Sequence, residues 1–366
     1  MQIGTEHEYS INDQDFSPLP ISDKIIEGIG GSMEHEVSMG EVKISKELQK
    51  HALELIPSRP GSLSFLEGHL YRGLLDLYRV TGHRYKFLGL GMHPLLRLDQ
   101  TSYWDHEEQE YYHAYNRLFN IWQHGWLNIQ ALQINLPYQR EGVVPMFNRL
   151  RSLIPYLVAV SASSPFVEGR LTAHMDCRLL YYRENQRRIP IICNDILPER
   201  LGSLKEYVQI NREIYRELKR CGAEVLCREW ANSRGVIVRF SRQCLEVKAI
   251  DEQECLKSDM AIAAFMLALL RSDLPLEEDE GALRSLLEDA IRRGTEGMRP
   301  ELARLYEEAK KVATREEMLY LPLIGRRIER GSLAELLAQR FRDGCEIRTL
   351  LGDMERAVRQ NNPYDY

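Results

Sequence analysis

Apolar and polar residues alternate with period two at the start of the chain, where Ile3-Gly-Thr-Glu-His-Glu-Tyr9 reads as a strand. The pattern then switches to helical spacing over Leu63 to Val80, after a Pro-Gly-Ser start. A short strand is expected over Tyr85 to Gly91, a helix over Asp105 to Phe119 and a strand over Leu127 to Leu136. The next helix runs from Val144 to Val160, with Pro145 in its first turn, where a missing N–H costs nothing. Val236 to Phe240 and Cys244 to Ile250 read as paired strands joined by a turn. From Ser258 onward the spacing is helical, near 259–271, 282–293, 300–313, 332–342 and 346–359, with the charged Pro275 to Gly281 as a surface loop. These elements predict an α+β fold. Residues 1–255 form the functional sheet-and-helix part, and 256–366 a helical layer on the same domain, since no Pro/Gly/Ser linker divides them.

Composition narrows the class. In 366 residues, 44% hydrophobic and 28% charged positions give an ordinary globular balance. The net charge of −6 carries no footprint of a nucleic-acid partner. No apolar run reaches membrane-spanning length, and the N-terminus reads as a strand rather than a signal peptide. Seven cysteines, without a C-x-x-C pair, argue against a disulfide framework and a structural zinc site, and point to the cytoplasm.

The candidate chemistry starts from Glu6 and Glu8. On a strand they share a face and His7 leaves it. Two adjacent carboxylates repel unless a cation lies between them, and oxygen ligands suit Mg²⁺ or Mn²⁺. A bare E-x-E is also what a solvated edge strand presents, so other motifs must decide. Those motifs follow in order: Ser38-Met-Gly-Glu-Val-Lys43, Gly91-Met-His-Pro94, Gln133-Ile-Asn135, Ser161-Ala-Ser-Ser-Pro-Phe-Val-Glu-Gly-Arg170 with Thr172 and Arg178, and Leu245-Glu-Val-Lys-Ala-Ile-Asp251.

At these residues, over about 3 to 251, the chain resembles the glutamate–cysteine ligase type 2 family, carboxylate–amine ligases related to glutamine synthetase. That family opens with G-x-E-x-E, and continues with a single glutamate, G-T-H-P, a Q/H-V-H-V strand, S-x-S-S-P-F, G-R-x-T-G with an arginine, and T-x-E-x-R-x-x-D. The resemblance implies a glutamine-synthetase-like antiparallel sheet forming an active-site funnel, with flanking helices and a helical C-terminal region. It implies ATP-dependent amide formation through an acyl phosphate, the γ-carboxyl of glutamate joined to cysteine or another amine. ATP and Mg²⁺, with Mn²⁺ as an option, are the expected cofactors.

On this reading Glu6, Glu8, Glu41 and Glu246 are the metal ligands. Arg170 and Arg178 clamp phosphate or a substrate carboxylate, since a planar guanidinium binds both in bidentate fashion. His93, Gln133, Asn135, Ser163, Ser164 and Lys248 are the expected substrate- and ATP-binding residues. The partners are small molecules, and the oligomeric state is left open, a homo-oligomer included. Four departures from the family pattern stand out: Met92 for threonine, Asn135 for histidine, Ala173 for glycine and Lys248 for arginine. They keep a second reading in play, a non-catalytic nucleotide-binding protein of the same fold.

Overall fold

The computed structural model describes residues 1–364. Ten strands are present: β1 (Gly4–Asn12), β2 (Glu36–Met39), β3 (Val42–Lys46), β4 (Ala52–Pro57), β5 (Lys86–Leu88), β6 (Ala131–Pro137), β7 (Phe166–Val167), β8 (Arg170–Leu171), β9 (Val236–Arg239) and β10 (Cys244–Asp251). Eight of them form one sheet in the order β2-β3-β4-β1-β6-β10-β9, with β5 paired to the far end of β1. Every neighbouring pair in this sheet is antiparallel. β7 and β8 make a separate hairpin.

The two-residue period sorts each strand by face. Ile3 just before β1, Tyr9 and Ile11 of β1, Leu53 and Leu55 of β4, Leu132, Ile134 and Leu136 of β6, and Leu245 and Val247 of β10 all join one apolar cluster. Helices Leu63–Val80, Val143–Ser161 and Leu256–Arg271 cover that face. The last of these is buried almost all round, as a helix inside a core must be. The same cluster continues through Leu287, Leu302 and Ile324, so the C-terminal helices share the core of the sheet. Among the described residues, no helix is long and apolar enough to cross a membrane.

Helix Leu63–Val80 has the bounds its spacing predicts. Four features differ from expectation. The Leu127 strand begins at Ala131, because His124–Leu127 form one helical turn first. Helix Glu317–Arg330 contains Pro322, and helix Leu204–Arg220 is strongly polar on one side; neither stands out in the sequence reading. Strands β2 to β4 were also unforeseen, although they occupy one half of the sheet.

One polar group sits on the core face. His7 is fully buried, and its Nδ1 lies 3.3 Å from both a Glu252 and an Asp259 oxygen. Burial alone would discharge the imidazole, but the two carboxylates outweigh it and push its pKa up to about 10. The folded value exceeds the ordinary 6.5, so this stabilisation is complete below pH 6.5 and fades as pH rises through 10. Replacing His7→Gln leaves two buried carboxylates without their cation. It should cost about 3 kcal/mol at neutral pH and flatten the alkaline loss of stability. Urea unfolding at pH 6 to 10 checks this; an unchanged midpoint would rule out the ion pair as a stabilising contact.

Candidate active site

The opposite face of the sheet carries acids in register. Glu8 of β1 stands opposite Glu54 of β4, Glu54 opposite Ser45 of β3, Glu6 opposite Gln133 of β6, and Asn135 opposite Glu246 of β10. Glu47 follows Ser45 by one strand period. Oxygens of Glu8, Glu47 and Glu54 lie within 4.8 Å of one another. All three carboxyls are held above their usual range. Burial is the first cause for each, followed by Glu47 for Glu8 and by Glu6, Glu47 and Glu8 for Glu54; Glu47 is pushed up to about 7. A site that raises three carboxyl pKa values by burial and mutual repulsion is short of positive charge, and its donors are all oxygen. It fits a hard divalent cation such as Mg²⁺ or Mn²⁺.

The surrounding side chains orient the acids. Gln133 Nε2 donates to Glu8 at 3.0 Å and to Glu54 at 3.3 Å, and Ala131 N–H donates to Glu8 at 2.9 Å. Asn135 Nδ2 donates to Glu6 at 2.8 Å, and Arg242 donates to the same oxygen at 2.6 Å. Gln133 and Asn135 thus lie in the cluster, as their shared strand face predicts. Glu246 is also on this face, but it pairs with Arg239 and lies 3.4 Å from Lys248. Burial pushes its carboxyl up, yet Lys248, Arg239 and Arg242 together bring it below the usual range. Glu246 is therefore an ion-paired acid here, apart from the crowded three. A cleft of about 240 Å³ opens beside Glu6, lined by Arg59, Asn135, Arg242 and Cys244.

Several expected site residues have other work. Glu41 is exposed in the β2–β3 turn and pairs with His69, away from the acidic face, whereas Glu47 and Glu54 lie beside Glu8. The sequence did carry a signal for Glu54, an acid alternating with Leu53 and Leu55 in a short apolar strand. His93 is buried; Nε2 meets Asn12 Oδ1 at 2.7 Å and Nδ1 accepts Leu95 N–H at 3.2 Å. Burial drops its pKa to about 4. Both ring nitrogens are used inside the protein, so His93 pins its loop to β1.

Ser163 and Ser164 are likewise internal. Ser163 N–H and the Ser164 hydroxyl donate to Asp251 Oδ2 at 2.9 and 2.8 Å. Arg178, far from the surface run its sequence neighbours suggest, is buried and donates to Asp251 Oδ1 at 2.6 Å. Its Nη1 reaches the Lys248 carbonyl at 3.3 Å, while its charge acts favourably on Glu8. Arg178 is a positioning charge at the floor of the acidic face. Arg170 sits exposed on the β7–β8 hairpin and makes no ion pair with that face among the described residues.

The model of "Glutamate-cysteine ligase family 2 (GCS2)" matches residues 2–357. The chain belongs to that family. A protein of Archaeoglobus fulgidus described only as uncharacterized is 50% identical over 366 residues, covering 99% of this chain and 100% of its own. The glutamate–cysteine ligase of Francisella tularensis, solved in complex with AMP, superposes with a TM-score of 0.75 at 13% identity, over 98% of this chain and 88% of that one. A bifunctional glutathione synthetase of Pasteurella multocida gives a TM-score of 0.67 at 15% identity, over 98% of this chain but 52% of its own. At such identities these two structures establish the fold, the large antiparallel sheet of the family.

The departures from the family motifs now have places. Met92 is buried in the loop that His93 pins. Asn135 and Lys248 each contact an acid of the sheet face, Glu6 and Glu246.

The crowding yields a discriminating pair of variants. Glu54→Gln should raise the melting temperature of metal-free protein by a few degrees, because it removes one of three repelling charges. It should also weaken Mn²⁺ binding by at least about tenfold. Glu41→Gln should change neither. Thermal melts and calorimetric Mn²⁺ titrations decide between the two positions, and equal Mn²⁺ affinity in Glu54→Gln would exclude the acidic trio as the metal site.

Proposed function

We propose that this chain is an ATP-dependent carboxylate–amine ligase, with glutamate as the carboxylate and cysteine or another amine as acceptor. The observation that carries the reading is the register-matched face of Glu6, Glu8, Glu47 and Glu54, ringed by Arg178, Arg242 and Lys248, in a chain of this family. A carboxylate must first become an acyl phosphate before an amine can displace its oxygen. One substrate oxygen attacks the γ-phosphorus and ADP leaves; the amine nitrogen then attacks the acyl carbon and phosphate leaves. The first step brings two anions together, so positive charge is the main requirement.

A divalent cation would supply part of that charge, and Glu8, Glu47 and Glu54 would hold it, with Glu6 at the edge. The rest comes from the chain itself. Arg242 and Arg59 line the cleft beside Glu6, where a substrate carboxylate and the transferred phosphoryl group can be gripped by guanidinium groups. A larger cavity of about 910 Å³ lies at the end of β6, with Tyr138 and Phe240 as apolar walls and Arg140, Glu141, Lys205 and Arg212 as charges. This cavity supports a nucleotide site: aromatic faces for the base, basic groups for phosphates. Arg178 keeps the floor positive and Lys248 is held toward it by Glu246. Seven free cysteines fit a reducing compartment, and we place the enzyme in the cytoplasm.

Steady-state ADP release, with Mg²⁺, glutamate and a panel of amines, tests the reading. Release should require both co-substrates and cease with EDTA. Arg242→Ala should lower turnover by about a hundredfold, the worth of a contact to developing charge. Arg170→Lys should have a smaller effect, since its hairpin lies outside the acidic face. Tight ATP binding without turnover on any amine would instead identify a non-catalytic nucleotide-binding protein.

A further inference from the structure

A second concentration of charge lies away from the acidic face. Helix Glu280–Arg293 ends, helix Arg299–Val312 begins, and helices Glu317–Arg330 and Leu333–Arg342 pass alongside. Between them is a cavity of about 460 Å³, within the range of small-molecule sites. Arg292, Arg293, Arg299, Arg330 and Arg342 line it, against two acids, Glu296 and Glu335. Glu335 is committed inward: its Oε2 accepts Thr295 N–H at 2.9 Å and Ser332 N–H at 2.7 Å. The chain as a whole is acidic, with a net charge of −6, so this excess is local.

Some of the cavity arginines are partly compensated: Arg293 lies 4.0 Å from Glu296 and Arg299 lies 3.8 Å from Glu335. Arg292 and Arg342 form no ion pair among the described residues. Compensation of a helix C-terminus accounts for Arg292 and Arg293 at the end of one helix. It does not account for arginines from four helices meeting around one cavity.

We propose that this cavity is a second anion site, separate from the acidic face, that takes a compact phosphorylated small molecule. Guanidinium groups from several directions match the oxygens of a tetrahedral phosphate, each offering paired N–H donors. Its rim includes Ala173 and Met175, from the segment between the β7–β8 hairpin and Arg178. That segment is tied to the cavity by the Ile291 carbonyl, which accepts both Met175 and Asp176 N–H at 3.0 Å. An occupant would therefore rest on the stretch of chain that positions Arg178 and Asp251.

The test is calorimetric titration of pyrophosphate into the full chain in EDTA, which does not depend on any ligase activity. Wild type should bind it, the double variant Arg292→Ala/Arg342→Ala should bind at least about tenfold more weakly, and Arg242→Ala should match wild type. The substituted arginines are exposed and unpaired, so thermal melts should coincide. No binding by wild type at millimolar pyrophosphate overturns the proposal. So does equal binding by the double variant, and so does a loss confined to Arg242→Ala, which would put the anion in the cleft beside Glu6.

Discussion

Strand β1 carries charge on both faces, and the protein is organised around accommodating it. Its ionisable side chains Glu6, His7 and Glu8 are all buried, so each needs a partner. Behind the sheet, the His7 imidazolium lies between Glu252 and Asp259. In front, Glu6 and Glu8 receive N–H groups from Asn135, Arg242, Gln133 and the β6 backbone. The Glu8 backbone N–H also donates to Glu252, so the two faces meet through one peptide group. What remains uncompensated is the mutual repulsion of Glu8, Glu47 and Glu54. That residual repulsion is stored where a cation would release it.

The second organising contact is Asp251. It follows a bulge in β10 and gathers the loops that frame the acidic face. Ser163, Ser164 and Arg178 all bond to its carboxylate, and the chain at Gly91 passes so close that a Cβ there would lie 2.2 Å from Asp251 Cγ. A side chain at position 91 is therefore excluded by contact rather than by backbone dihedral. Thus the serine-rich segment, the Gly-Met-His-Pro loop and the last strand, far apart in sequence, are joined by one buried carboxylate. Segments that carry no ligand contact can still be fixed in spacing when they share such an anchor.

This explains what could be read from the chain and what could not. Period-two and helical patterns placed β1, β6, β9, β10 and most helices, because apolar burial dictates both. They also put Gln133 and Asn135 on the acid-bearing face, since strand parity is local. The place of Glu41, off that face and beside His69, is a non-local fact. Whether Glu41 or Glu54 meets Glu8 depends on the register of β3 and β4, and three short strands with mixed polarity do not reveal their pairing. For Ser163, Ser164 and His93, the residue types were those of a ligand site, but their hydrogen bonds are satisfied inside. Burial of a polar side chain is invisible to local pattern when its partner lies some eighty residues away, as Asn12 does from His93.

The departures from the family motifs bear on whether the site can still work. A lost site would be expected to shed charge at random, since nothing would hold the acids and cations together. Here the substitutions keep the interactions. Lys248 retains a cation beside Glu246, and Asn135 retains an N–H donor to Glu6. Meanwhile Glu8, Glu47 and Glu54 are kept at a cost in repulsion that no structural role demands, and three glutamines would pack as well without it. Crowded acids, with Glu8 and Glu54 oriented by hydrogen bonds, are what a cation-binding site requires. The replaced groups are those that would touch substrate, asparagine for imidazole and ammonium for guanidinium. Both replacements therefore leave their acids compensated, Glu6 by a hydrogen bond and Glu246 by a cation.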